Sequence, residues 1–351
     1  MDTIIKKYDE THRDPEVIEQ AAAILQAGGL VAFPTETVYG LGGDALNPHA
    51  SARIYAAKGR PSDNPLIVHI ADMEALEVLT AGVPEKGKLL AQAFWPGPMT
   101  MIFNKSAAVP LETTGGLDTV AVRMPSHFTA RELIRGSGVY IAAPSANLSG
   151  RPSPTCAEHC IQDLSGRVDM IIDGGRVQIG LESTIIDLTC EVPVILRPGY
   201  ITREMIEAVI GEVELDRTLF MERPDPDLRP KAPGMKYRHY APKGEMAIVE
   251  GSREAVAEKI NSLTYAHEER GEKCAVISAE EDLSLYRARN VFNIGGGHDE
   301  EAVAANLYAT LREMDDLGIE YIYSESFAGS GLRAAIMNRL IKAAGHRIIQ
   351  A

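Results

Sequence analysis

Apolar residues recur at helical spacing from Pro15 to about Gly28 (Val17, Ile18, Ala21, Ala22, Ile24, Leu25), and Gly28-Gly29 punctuate the end of that helix. The pattern then changes to short, nearly continuous apolar runs. "LVAFPTETVYG" reads as a kinked strand, and "PLIVHI", "MTMIF", "VAVRMP", "GVYIAAP", "MIIDGG", "STIIDL" and "PVILRPG" read as further buried strands. Helical stretches fall between them at 48–58, 72–80, 85–94, 127–136, 155–164 and 202–210. Such alternation predicts an α/β domain over residues 1–211, and the mix of short and long connections predicts a twisted, mixed, open sheet.

After Gly211 the periodicity lapses. "ERPDPDLRPKAPGMKYRHYAPKG", residues 222–244, crowds prolines and charges together and reads as an extended linker, which we take to span 212–244. Linkers seldom carry two tyrosines and a histidine among basic residues, as "MKYRHY" does. From residue 245 to 351 a second alternation follows: strand "MAIVE", helix 252–268, strands "KCAVIS" and "NVFNIGG", helix 299–317, strand "YIYSE" and helix 331–344. That order predicts a smaller, doubly wound Rossmann-like domain.

Composition narrows the function classes. The chain has 351 residues, 45% hydrophobic and 24% charged, which suits two ordinary globular domains. No apolar run approaches the roughly 20 residues of a membrane helix. The first residues, "MDTIIKKYDETHRD", mix acids and bases without an apolar segment behind a basic leader, so a cytoplasmic protein is expected. Cys156, Cys160, Cys190 and Cys274 lack C-x-x-C spacing and are expected to be buried free thiols. The formal net charge is −14; residues 1–210 hold 17 Lys+Arg against 25 Asp+Glu, and the remainder holds 18 against 24. Neither half has the basic excess of a non-specific nucleic-acid binder, so an anionic ligand requires a local concentration of cations.

Two glycine-rich stretches invite a nucleotide reading and fail it. Gly40-x-Gly42-x-x-Ala45 has the form of a dinucleotide fingerprint, with Asp63 about 20 residues on, but Asn47-Pro48 places the helix start too late for its amides to face a pyrophosphate. "IGGGH" at 294–298 lacks the G-K-[ST] of a P-loop and reads as a strand-ending turn. No G-x-S-x-G elbow surrounds a serine, and no H-x-x-x-H or H-E-x-x-H spacing marks a resident metal.

The candidate chemistry lies in polar residues set among the apolar runs. Lys58 and Arg60 flank Gly59 ahead of Pro61; an extended backbone there would point both cations to one side, as a polyphosphate requires. Arg123 and Arg197 sit in otherwise apolar strands, where a guanidinium is costly without an anion beside it. Ser145 and Asn147 stand at the end of "GVYIAAP", and His69 closes "PLIVHI". Thr35, Glu36 and Thr37 need partners inside a buried strand, either among themselves or from a ligand in a cleft. The residues alone indicate an α/β protein whose cleft suits a nucleotide and a small polar acid.

Taken together, "FPTETVYGLGGDA", "KGRPSDNPLIVHI", "WPGPMT", "LDTVAVRMP", "APSANLSGRPSPT", "GLESTIIDL", "ILRPG" and "APGMKYRHYAP" closely resemble the threonylcarbamoyl-adenylate synthase family, the YrdC-like proteins, in its long form with an added C-terminal domain. The likeness covers residues 12–243 in motifs and the rest by architecture. It implies that L-threonine, bicarbonate or CO2, and ATP with magnesium give L-threonylcarbamoyladenylate and pyrophosphate, and that a partner transferase complex carries the group to tRNA beside the anticodon. The family signature K-x-R…S-x-N falls on Lys58, Arg60, Ser145 and Asn147, the implied catalytic group. ATP is implied to lie against Arg60, Asn64, Thr119, Ser145, Ser153 and Arg197, with Tyr237 of the linker reaching it as a lid. L-Threonine is implied near Thr37, His69, Arg123, the backbone of Ala143, and Ser183. The competing class is a non-catalytic RNA-binding maturation factor.

Overall fold

The computed structural model of the chain describes residues 2–221, 230–235 and 239–351. They belong to two compact units, residues 1–149 with 153–237 and residues 150–152 with 238–351.

In the first unit the strands are β1 (Ile4–Lys7), β2 (Val31–Phe33), β3 (Gly40–Asp44), β4 (Ile67–His69), β5 (Met99–Asn104), β6 (Thr119–Arg123), β7 (Ile141–Ala142), β8 (Met170–Asp173), β9 (Thr184–Asp187), β10 (Val194–Arg197) and β11 (Glu214–Leu215). Among the described residues they make one sheet in the order β1-β8-β2-β3-β7-β4-β6-β5-β9-β10-β11. β4 and β6 pair in parallel, while β5 and β6, β4 and β7, and β9 and β10 pair antiparallel, so the sheet is mixed. The helices are α1 (Pro15–Gln26), α2 (Pro48–Lys58), α3 (Ala75–Leu79), α4 (Glu85–Phe94), α5 (Phe128–Ser137), α6 (Ala157–Leu164) and α7 (Arg203–Ile210). β1 escaped the sequence reading because it is only four residues long, mostly exposed, and lacks apolar alternation.

Local chemistry sets the element ends. Asp14 caps α1 by accepting from the Glu16 amide at 3.0 Å, and Pro15 opens the helix with no N–H to satisfy. Asn47 caps α2 through His49 N at 3.0 Å, and Gly59 ends it in the left-handed region at φ 62°. The helix therefore does start at Pro48, and the glycines of the false fingerprint lie in β3. There a Cβ on Gly42 would come within 2.6 Å of Ile141 and 2.8 Å of Phe33, so this glycine serves packing.

Strand alternation gives the sheet two different faces. Val68, Met101, Phe103, Val120, Val122 and Ile186 turn into the main core. Ile67, Ile102, Ala121, Ile185 and Leu196 turn the other way into a smaller cluster that includes Ala232, with Met235 packed against it. The stretch read as a linker thus holds β11, a 3-10 turn at Arg217–Phe220, and residues seated on the sheet.

The second unit has β12 (Glu245–Glu250), β13 (Cys274–Ser278), β14 (Val291–Asn293), β15 (Tyr321–Glu325) and β16 (Ile348–Gln350), all parallel, in the order β14-β13-β15-β12-β16. Its helices are α8 (Arg253–Glu269), α9 (Glu300–Asp316) and α10 (Leu332–Ala343). Val256, Ala257 and Ile260 of α8 pack on Ala247, Val249, Val276 and Tyr323, one face of the sheet. The alternate residues Met246, Ile248, Ala275 and Ile277 are also buried, as a sheet covered on both faces requires. "IGGGH" ends β14 as a turn, with Gly297 N donating to the Glu281 carboxylate at 2.9 Å.

All four cysteines are free. Cys160 and Cys274 are buried as expected, but Cys190 is exposed and Cys156 half-buried, because they sit in the turn after β9 and at the start of α6. No described helix is long and apolar enough to cross a membrane.

Candidate active site

The smaller apolar cluster of the first unit is bounded by polar side chains at both ends of its strands. β4 shows the arrangement in three residues. Ile67 belongs to the cluster and pairs with Ala121, whereas His69, two residues on and on the same face, pairs with Arg123. On the next strand Thr100 also pairs with Arg123. Thr119, two residues before Ala121 on that face, begins β6 at the opposite end.

At the His69 end, Arg123 is 4% exposed. Its Nη1 donates to Thr37 Oγ1 at 2.8 Å, its Nε to Gly97 O at 3.4 Å, and its Nη2 lies 2.7 Å from Glu36 Oε1. The anion that a buried guanidinium demands is therefore supplied by the protein itself. Burial pushes the Glu36 carboxyl up, but Arg123 and backbone amides together pull it down and the net shift is downward, favouring the ionised form. Thr35 and Thr37 satisfy each other at 2.8 Å, and Thr35 Oγ1 also donates to Val38 O. His69 Nδ1 is 3.1 Å from Ile67 O, and a carbonyl only accepts, so Nδ1 carries the ring proton. Burial, with the Arg123 charge, drives the imidazole down to about 3 and keeps it neutral.

Ser183 links this end to Arg197. Ser183 Oγ and Thr100 Oγ1 are 2.8 Å apart, and Arg197 donates from Nε to Ser183 O at 3.0 Å and from Nη2 to Ser183 Oγ at 3.2 Å. Arg197 Nη1 reaches Pro233 O at 3.4 Å, beside the Ala232 that covers the apolar strip. Arg197 and Thr100 thus meet at Ser183, and Thr100 is the register partner of Arg123.

At the Ile67 end, Ala143 N donates to Ile67 O at 2.8 Å, so only the Ala143 carbonyl can serve a ligand. The chain continues to Ser145, which bridges to Gly40 and donates from Oγ to Asn147 Oδ1 at 2.5 Å. Lys58 is 2% exposed, and its Nζ donates to the carbonyls of Ser145 and Asn147. The extended geometry expected for Lys58 and Arg60 is not what joins them. Lys58 closes α2, Gly59 reverses the chain, and Arg60 then donates from Nε to Asn64 O at 3.2 Å and from Nη2 to Pro65 O at 3.0 Å. Asn64 is buried, and its Oδ1 has no hydrogen-bond partner among the described residues. Ser153 donates to Glu182 Oε1 at 2.5 Å, next in sequence to Ser183.

The structure therefore gathers two hydrogen-bonded sets, Thr37 with Arg123 and Ser183 with Arg197, next to His69 and Thr100, the register partners of Arg123, and it places Lys58, Arg60, Asn64, Ser145 and Asn147 around the opposite end of β4. Tyr237 lies outside the described residues. The sequence reading missed Thr100 and Glu182 and left Glu36 open. Two acid-hydroxyl pairs, Glu36-Thr37 and Glu182-Ser183, were the signal, since each acid fixes a cation or hydroxyl beside a hydroxyl of the site.

Two family models divide the chain. One, described as "Telomere recombination", matches residues 23–199, and the other, described as "Threonylcarbamoyl-AMP synthase, C-terminal domain", matches residues 201–345. A threonylcarbamoyl-AMP synthase of Pyrococcus abyssi is 51% identical over 333 residues, covering 95% of each chain. The chain belongs to the threonylcarbamoyl-AMP synthase family. A threonylcarbamoyl-AMP synthase of Bacillus subtilis is likewise 51% identical over 343 residues, covering 97% of each chain. The crystal structure of P. abyssi Sua5 complexed with L-threonine superposes with a TM-score of 0.93 at 50% identity, covering 99% of this chain and all of that one. The threonylcarbamoyl-AMP synthase fold thus extends over both units.

Proposed function

We propose that this protein condenses L-threonine, bicarbonate or CO2, and ATP into L-threonylcarbamoyladenylate and pyrophosphate. The observation that carries the reading is the division of one sheet face into an apolar strip with a guanidinium, hydroxyl and neutral imidazole at one end, and a group of buried Lys58, Arg60 and Asn147 with half-buried Ser145 at the other. A small amino acid suits the first end. Its carboxylate would meet Arg123, and its hydroxyl would meet Thr37, His69 or Ser183. A nucleotide suits the second end, with Asn64 Oδ1 accepting from it and Arg60, Ser145, Ser153, Thr119 and Arg197 along its length. The P. abyssi relative solved with L-threonine supports threonine as a ligand of this fold.

The chemistry requires no protein nucleophile. Carboxylated threonine is a carbamate, and attack of its oxygen on the α-phosphorus of ATP expels pyrophosphate. Two anions must be held close together, and fixed cations that need not reorganise as charge shifts lower that barrier. Arg197, held by Ser183 and Pro233 O, would supply such a cation to the developing charge. Lys58 acts through the loop it braces, setting the carbonyls and side chains of Ser145 and Asn147, so positioning carries much of the rate. Among the described residues no group of three or more His, Cys, Asp or Glu is arranged to hold a metal. We therefore assign magnesium to the triphosphate, where it would neutralise phosphate charge.

Residues 212–244 would close the cleft over the adenylate and keep water from the mixed anhydride. Ala232 on the apolar strip and Pro233 O on Arg197 support this, and Tyr237 follows them in sequence. A cytoplasmic transferase complex acting on tRNA would consume the product. The test is pyrophosphate release by the full chain with threonine, ATP or bicarbonate omitted in turn. Release that needs all three supports the synthase, whereas RNA binding without any release would favour the maturation factor.

A further inference from the structure

Glu36 has no part in the reaction proposed above, yet it pairs with Arg123. Its side chain and that of Arg123 are each 5% exposed, 2.7 Å apart. The nearby His127 imidazole is pushed down by burial, so it adds no second cation to the pair. An unpaired guanidinium in so dry a place would attract any anion, and sulfate, phosphate and the pyrophosphate product would compete with an amino acid for it. Paired with Glu36, the guanidinium belongs to a pair with no net charge. It can still direct hydrogen bonds, but an incoming simple anion meets the Glu36 carboxylate just behind its partner.

We propose that Glu36 is a positioning and specificity residue: it neutralises and orients Arg123 so that the threonine end of the cleft admits the amino acid as a zwitterion, before it is carboxylated in place, and rejects free inorganic anions. A zwitterionic amino acid brings both signs of charge and is repelled far less than an anion. The orientation follows from the three contacts of the Arg123 fork, to Glu36, Thr37 and Gly97 O, which fix its plane. The two ends of the cleft are thereby sorted, with polyphosphate excluded from the amino-acid end. This inference rests on the reading of Arg123 as the group that meets the threonine carboxylate.

The experiment is calorimetric titration of L-threonine into the full chain, with sodium sulfate exchanged for sodium chloride at constant ionic strength, using the parent, Glu36→Gln, Glu36→Asp and Arg123→Met. In the parent, sulfate leaves threonine affinity unchanged. In Glu36→Gln, threonine binding weakens about tenfold, the scale of one lost charge-assisted interaction, and sulfate now competes with threonine. Glu36→Asp, which retains the charge, restores exclusion of sulfate. In steady state the loss in Glu36→Gln falls on the KM for threonine and spares the KM for ATP, a split that mere destabilisation would not produce. Threonine binding by folded Glu36→Gln that matches the parent and ignores sulfate overturns the proposal. Should that variant fail to fold, the parent decides: competition between sulfate and threonine there also overturns it. Unchanged threonine binding by Arg123→Met would instead sink the assignment of the threonine end, a separate failure.

Discussion

Replacing Lys58 with Met separates two roles that the family signature merges. If Lys58 were only a charge for phosphate, the ligand-free protein would be indifferent to its loss. In the structure its ammonium is dry and donates to the carbonyls of Ser145 and Asn147, while its own carbonyl accepts from Ser149 N at 2.9 Å. Two charge-assisted hydrogen bonds contribute about 1.5–3 kcal/mol each, or about 3–6 kcal/mol together. Met removes the cost of keeping an ammonium out of water as well, which brings the expected net loss to about 2–4 kcal/mol. For a unit of this size that corresponds to a fall in Tm of about 5–15 °C. Thermal unfolding of the ligand-free chain, followed by circular dichroism, measures it. Pyrophosphate release should fall by about a hundredfold or more, because a shift of about 1 Å in the Ser145–Asn147 loop misplaces the nucleotide. Lys58→Arg should not rescue either property, since a planar fork cannot take the place of a compact ammonium between two carbonyls. A Lys58→Met chain that melts with the parent yet is inactive would refute the brace.

Other measurements address the remaining parts of the site. Arg197→Lys loses the fork that joins Ser183 to Pro233 O, and pyrophosphate release should drop about 10- to 100-fold; a variant as active as the parent would remove Arg197 from the cleft. His69 has a folded value near 3 against 6.5 when unfolded, so the unfolded chain takes up its proton first as pH falls. Its contribution to stability is intact above about pH 6.5 and declines toward pH 3, by about 2 kcal/mol at pH 5. Urea melts at pH 8 and pH 5 should show that increment in the parent and lose it in His69→Gln; equal pH dependence in both would contradict it. Truncation after Gly211 removes Ala232 and the rest of the cover, and adenylate should then be hydrolysed faster than it accumulates. Full-rate accumulation by the truncated chain would exclude a lid.

The sequence by itself determined most of the secondary structure and the class of each unit, because period and punctuation are local properties. Asp14-Pro15 and Asn47-Pro48 begin helices for reasons contained in a few residues, and the position of Pro48 was enough to dismiss the glycine fingerprint. The polar residues set in apolar strands could likewise be recognised as costly, and eight motifs in order identified the family they resemble. Their partners could not be read, since partners are set by strand pairing across long separations. The carboxylate that pairs with Arg123 lies 87 positions earlier, at Glu36, and only the folded chain brings them to 2.7 Å. The sequence likewise suggested Lys58 and Arg60 as a matched pair in extended chain, whereas Gly59 reverses the backbone between them and gives one a loop to brace and the other the carbonyls of Asn64 and Pro65. Tertiary structure decided which charges are cancelled and which carbonyls are satisfied, because burial makes an unpaired polar group expensive and only the folded chain shows what lies within a hydrogen bond of it.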